Sequence, residues 1–114
     1  MSACSVIIPV KNGELFITRA IDSLLHQTAP PQEIIVVNDG STDETMNLLR
    51  RYNSLIQVVT TPGLGASKAR NLGIKKSQGE FVAFLDCDDI CHPERLEKQV
   101  AALSSNKKIG MVFC

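Results

Sequence analysis

Residues Phe81-Val82-Ala83-Phe84-Leu85 are five apolar positions in unbroken succession, and the next four, Asp86-Cys87-Asp88-Asp89, carry three carboxylates. A run that is apolar at every position does not suit a strand with one wet face. It fits a parallel strand covered on both sides, which requires helices above and below the sheet. The carboxyl end of such a strand is where open α/β sheets bind ligands. Three carboxylates crowded there repel one another, and a cation relieves the repulsion. Asp86 and Asp88 are hard oxygen donors suited to Mg²⁺ or Mn²⁺, ions whose coordination is completed by water and substrate phosphates. Asp89 alone fits a solvated loop leading into the next helix.

The same signature recurs along the chain. Ser5-Val6-Ile7-Ile8-Pro9-Val10 and Glu33-Ile34-Ile35-Val36-Val37 read as strands, as do Leu55-Ile56-Gln57-Val58-Val59 and Ile109-Gly110-Met111-Val112-Phe113-Cys114. Between them, residues fall at helical spacing: apolar Ile17, Ile21, Leu24 and Leu25; then Thr45, Leu48, Leu49 and Tyr52; then apolar Leu96, Val100 and Leu103. Ala66, Ala69 and Gly73 form a small-residue face that lets a third helix lie close to the sheet. Strand and helix alternate five strands deep, which predicts an α/β fold: a Rossmann-like, doubly wound, mainly parallel sheet flanked by helices and joined by right-handed crossovers. A length of 114 residues makes residues 1–114 one domain.

Local chemistry assigns some polar residues to structure and leaves others over. Ser41-Thr42-Asp43-Glu44 matches a capping box, with Ser41 as the cap and Glu44 three residues on. Asp43 is then a first-turn charge, whereas Asp39 precedes the cap and is left for a ligand. Pro93 suits the first turn of the last helix and Glu94 its dipole. His26 reads as a cation near a helix carboxyl terminus, not as a base. Gly63-Leu64-Gly65 is not a dinucleotide fingerprint, because Lys68 stands where the third glycine belongs. Arg70, one turn past that loop, is placed to meet a phosphate or base in a bidentate way.

Composition narrows the setting. Lys plus Arg and Asp plus Glu each total 12, so no global field argues for nucleic acid or an anionic membrane surface. No apolar stretch approaches the roughly 18 residues of a membrane span. Met1-Ser2-Ala3-Cys4 carries no basic region ahead of the first strand, which makes the cytoplasm the expected compartment. The 4 cysteines are expected as reduced thiols, and Cys87, Cys91 and His92 lack the further ligands of a structural zinc site.

Four segments, in this order, resemble the nucleotide-binding half of the family 2 glycosyltransferases, which have the GT-A fold: Val6-Ile7-Ile8-Pro9-Val10-Lys11-Asn12-Gly13-Glu14, Ile34-Ile35-Val36-Val37-Asn38-Asp39-Gly40-Ser41-Thr42-Asp43, Gly65-Ala66-Ser67-Lys68-Ala69-Arg70-Asn71-Leu72-Gly73, and Gly79-Glu80-Phe81-Val82-Ala83-Phe84-Leu85-Asp86-Cys87-Asp88-Asp89. The resemblance implies a donor site for a nucleotide-diphosphate sugar, a UDP-sugar by expectation, with Mn²⁺ or Mg²⁺. It implies that Asp39 hydrogen-bonds the base, that Pro9 and Val10 line the base pocket through backbone and side chain, and that Arg70 supports the nucleotide. Asp86 would face the ribose and metal-bound water, and Asp88 would coordinate the metal on the diphosphate.

Two departures from the family pattern bear on this expectation. Lys11 stands where many relatives have an aromatic residue. Relatives also continue well beyond the fifth strand, and their acceptor site and catalytic base lie in that later half. The expectation is therefore a donor-binding piece of a longer protein, with the base beyond Cys114 and a saccharide, lipid or protein acceptor unspecified. Rival readings are a nucleotide-binding fragment without turnover and a sugar-nucleotide nucleotidyltransferase. The latter would want a glycine-rich basic loop where Lys11-Asn12-Gly13-Glu14 stands. A phosphatase would want its nucleophilic aspartate after an early strand. An apolar last strand lacking its neighbour would further predict a homodimer through the exposed sheet edge.

Overall fold

The structure, a computed structural model, describes residues 3–105, with side chains through residue 102. Four parallel strands, β1 (Cys4–Val10), β2 (Glu33–Asp39), β3 (Gln57–Thr61) and β4 (Phe81–Phe84), lie in the order β3-β2-β1-β4. They alternate with helices α1 (Ile17–Leu25), α2 (Thr45–Arg50), α3 (Ala66–Lys76) and α4 (Arg95–Ser105). The doubly wound α/β expectation holds for these elements. The segment expected to form a fifth strand, from Ile109, lies outside the described residues, and with it the expected pairing between copies.

The pleat explains how helices come to cover both faces. Val6, Ile8, Ile34 and Val36 point to one side, where they pack with Ile17, Ile21 and Leu24 of α1, Leu49 of α2 and Leu96 of α4. Ile7, Ile35 and Val37 point to the other side and meet Ala69 of α3. The chain steps from β1 to β2 to β3 in one direction, then returns to the far side of β1 for β4. With right-handed crossovers, a reversal of direction moves the connecting helix to the opposite face, and α3 is that helix.

Close approach sets the composition of α3. A Cβ on Gly73 would lie 2.5 Å from Ile7 Cγ2 and 3.2 Å from two further Ile7 carbons. Ile7 is fully buried in the middle of β1 and has nowhere to go. Ala69 is buried beside it, as the small-residue face predicts, whereas Ala66 is exposed. Glycine to alanine in a helix interior ordinarily stabilises by up to about 1 kcal/mol. Here overpacking wins, and Gly73→Ala should cost about 1–3 kcal/mol. Urea denaturation checks the sign, and a raised midpoint would show that α3 can lift off β1.

Four local expectations are corrected. β3 begins at Gln57, two residues later than expected, because Asn53–Leu55 form a 3₁₀ turn and leave Leu55 exposed at 61%. Helix α4 begins at Arg95, just past Pro93 and Glu94, and Glu94 pairs with Lys98 at 3.0 Å. The capping box does not form. Helix α2 begins at Thr45 with no side-chain cap, and Ser41 Oγ instead accepts the Asn12 N–H at 2.9 Å. Asp43, expected as a first-turn charge, precedes the helix and accepts the Thr45 N–H at 3.0 Å. His26 does follow the last residue of α1, where its ring Nδ1 lies 2.7 Å from the Asp22 carbonyl oxygen.

Candidate functional site

Strand β1 outruns β4. The last residue of β1 paired to β4 is Ile7, opposite Phe84, and the Leu85 N–H donates to the Ile7 carbonyl at 3.1 Å. Beyond that point Ile8, Pro9 and Val10 continue while the chain after β4 turns away, with the Asp89 N–H on the Asp86 carbonyl at 3.0 Å. Pro9, lacking an N–H, sits where the β4 ladder has already ended and so leaves no hydrogen bond unmade on that side. The notch lies at the carboxyl ends of the strands, where the strand order reverses, the position at which doubly wound sheets hold ligands.

A crevice of about 760 Å³ opens there, within the range of small-molecule sites. Pro9, Val10, Asp39, Arg70, Asp86 and Asp88 all line it. The structure thus brings together the six residues singled out from sequence. It refines one of them: the Val10 side chain is buried in the α1 face of the core, so its main chain is the part well placed to face a ligand.

Asp39 is not an idle carboxylate. It is 5% exposed, and Oδ1 accepts the Thr61 hydroxyl and the Leu64 N–H, each at 2.6 Å, while Oδ2 accepts the Gly65 N–H at 2.9 Å. The Thr61 hydroxyl, followed by the Leu64 amide, holds its pKa below the ordinary value of 3.8, and Lys11 contributes at longer range. Gly65 has φ 94° and ψ 156°, a conformation open in practice to glycine alone. Asp39 therefore clasps the Thr61–Gly65 loop to the end of β2 and places its charge at the amino terminus of α3, where the helix dipole favours it. A carboxylate has about four lone-pair positions, and three are used, so one remains on Oδ2.

At the other end of the crevice, carboxylate oxygens of Asp86, Asp88 and Asp89 lie within 4.8 Å of one another, all three side chains exposed. Arg70 reaches from α3 to Asp86 Oδ1 at 3.4 Å. An exposed pair of that length adds little stability, but it orients Asp86 and leaves further guanidinium N–H groups facing the crevice. Cys87, between the two aspartates, is half-buried. Burial, followed by the neighbouring Asp88 and Asp86 charges, pushes its thiol pKa up, which keeps it protonated and poorly nucleophilic at neutral pH.

Several residues given no site role from the sequence also shape the site. Asn12, at φ 55°, accepts the Thr42 N–H on its side-chain oxygen at 2.7 Å. The Gly13 N–H donates to Thr45 Oγ1 at 3.0 Å and the Glu14 N–H to Asp43 Oδ2 at 3.2 Å. These bonds latch the loop after β1 to the loop after β2, and Asn12 tolerates the left-handed conformation they require. Phe16 lines the crevice together with Lys11, and it is the aromatic residue of that lining. No periodicity in the sequence marks Thr61 or Phe16 as site residues.

Comparison with known proteins agrees with this fold. The profile of glycosyl transferase family 2 matches residues 5–114. The uncharacterized glycosyltransferase RP339 of Rickettsia prowazekii is 41% identical over 111 residues, covering 96% of this chain and 35% of that protein. The poly(ribitol-phosphate) beta-N-acetylglucosaminyltransferase TarS of Staphylococcus aureus is 36% identical over 113 residues, 93% of this chain and 20% of TarS. The crystal structure of TarS residues 1–349 superposes with a TM-score of 0.82 at 34% identity, over 94% of this chain and 33% of that one. The same TarS region in complex with UDP-GlcNAc superposes with a TM-score of 0.80 at 34% identity, over 94% of this chain and 32% of that one. The chain spans about a third or less of these relatives' length. With the profile matched over nearly all of its residues, the chain belongs to glycosyl transferase family 2.

Proposed function

We propose that this chain binds the nucleotide-diphosphate sugar donor of a glycosyl transfer, with uridine as the nucleoside and Mn²⁺ or Mg²⁺ as the metal. The observation that carries the reading is the crevice with two chemically distinct ends: a buried carboxylate with one free lone pair, Asp39, and an exposed group of three carboxylates beside an arginine. A uracil imide N–H suits the first. The similar TarS domain in complex with UDP-GlcNAc makes that donor the first to try.

The donor set fits a hard divalent cation: acid oxygens from Asp88 and Asp86, with room left by their exposure for water and phosphate. When bound, such an ion stabilises negative charge on the departing diphosphate. The chain's own residues do the rest. Asp39 orients the base and Pro9 and Val10 form the floor. Phe16 supplies an apolar wall, and Arg70 holds Asp86 while offering N–H donors to phosphate. No residue of the crevice is assigned as catalytic base or acceptor site.

Calorimetry with UDP, UDP-GlcNAc and ADP in the presence of Mn²⁺ tests the reading. UDP and UDP-GlcNAc should bind at least about tenfold more tightly than ADP, a difference of about 1.4 kcal/mol. Equal affinities would sink the assignment of the base. A binding module without turnover is the second reading, favoured by a crevice whose buried acid, Asp39, is engaged in holding a loop. Binding of UDP-GlcNAc with no release of UDP in any acceptor screen would establish it.

A further inference from the structure

The three carboxylates sit on a short bridge between two anchors. One is the Leu85 N–H on the Ile7 carbonyl; the other is the Cys91 N–H, which donates to Ser23 Oγ at 2.9 Å. Behind the second anchor lies Gln27, just past α1 and 4% exposed. Its Nε2 lies 3.2 Å from the Cys91 carbonyl, 2.7 Å from the His92 carbonyl and 3.0 Å from the Ser23 carbonyl, while its Oε1 accepts the Leu96 N–H at 3.2 Å. Three carbonyls around one atom and an N–H before the other leave the amide a single sensible orientation. One buried side chain thereby ties the end of α1, the Cys91–His92 backbone and the first turn of α4 together. The Thr28 N–H on the Pro93 carbonyl at 2.8 Å extends the same seam.

We propose that Gln27 is a positioning residue for the metal site: it holds the far end of the Asp86–Asp89 turn, and so sets the spacing of the carboxylates, without touching metal or nucleotide. This rests on the metal reading given above. The physical argument is that exposed, mutually repelling carboxylates spread apart unless the backbone that carries them is held. Here the downstream anchor at Ser23 is backed by the hydrogen bonds of one side chain, Gln27, and a cut in that side chain would remove those bonds together. Groups that hydrogen-bond metal ligands directly are commonly worth about 10–100-fold in affinity, and a hold on the backbone that carries the ligands should fall at the lower end of that range.

Gln27→Met keeps the length and apolar bulk of the side chain and removes its donors and its carbonyl acceptor. UDP titrations with and without Mn²⁺, with bound Mn²⁺ counted by electron paramagnetic resonance, read the effect. Metal-free UDP affinity should stay within about twofold of wild type, while the Mn²⁺-dependent gain falls about tenfold. A purely structural role would lower both together. A wild-type chain with no Mn²⁺ gain overturns the metal reading and this one with it. A wild-type gain retained in full by Gln27→Met overturns the positioning role alone. If Gln27→Met does not fold by circular dichroism, Ser23→Ala, which removes the acceptor of the Cys91 N–H and with it a bond within α1 from the Ser23 hydroxyl to the Ala20 carbonyl, takes its place: a reduced gain supports the proposal, and an unchanged gain overturns it, because the hold on Cys91 would then not set the carboxylates.

Discussion

Asp88→Asn is expected to abolish the metal-dependent part of UDP affinity. The amide keeps the size of the side chain and one oxygen donor but removes the charge that pairs with a divalent cation. Wild-type chain should bind UDP at least about tenfold more tightly with Mn²⁺ than without, or about 1.4 kcal/mol, and the variant should show no such difference. Asp89→Asn separates ligand from bulk charge, because Asp89 lies outside the lining of the crevice while sharing the acidic group. It should retain most of the gain; an equal loss in both variants would mean that net negative charge, and not the position of Asp88, attracts the ion. A second readout has the opposite sign. Neutralising one of three crowded carboxylates relieves repulsion, so metal-free Asp88→Asn should melt slightly above wild type. Equal UDP affinity of the wild-type chain with and without metal would remove the metal from the account altogether.

The second large effect is expected at Asp39. Replacing it with alanine strips the Leu64 and Gly65 amides and the Thr61 hydroxyl of their acceptor and removes the lone pair proposed for the base. Lost hydrogen bonds to a charged group cost about 1.5–3 kcal/mol, so UDP affinity should fall by roughly 10–150-fold. Thr61→Val distinguishes the two roles, because it loosens the loop while leaving Asp39 ionised. If Asp39 only clasps the loop, Thr61→Val should lose comparable affinity and keep the preference for uridine over adenosine. If Asp39 reads the base, that preference disappears only in Asp39→Ala.

The pH dependence has a definite sign. Asp39 has a folded pKa below its ordinary value of 3.8, so its contribution is fully present above that value and is lost as pH falls through the lowered one. Binding and stability should be flat in this respect from neutral pH to about 5 and decline only below about 4, where unfolded carboxylates begin to hold their protons. Asp39→Ala should be less acid-sensitive than wild type over that lower range.

The alternation of wholly apolar runs with helically spaced ones determined the architecture, because burial periodicity is a local property that the chain carries wherever it goes. From it followed the parallel sheet, helices on both faces, and a site at the carboxyl ends of the strands where Asp39, Asp86 and Asp88 fall. Gly73 and Ala69 were legible for the same reason, since a small residue in a helix facing a sheet marks close packing. What the tertiary structure alone decided is which partner each polar group takes. Ser41 could have capped α2 by its spacing, yet Asn12, distant in sequence, lies nearer as a donor and claims it. Asp39 looked unemployed by every neighbour in sequence, but the last residue of β3 and the loop after it use three of its lone pairs. Gln27 carries no pattern at all; its importance arises because the ends of two helices, about seventy residues apart, meet around one amide. Hydrogen-bond choice depends on distance through space, and distance through space is what a linear pattern does not encode.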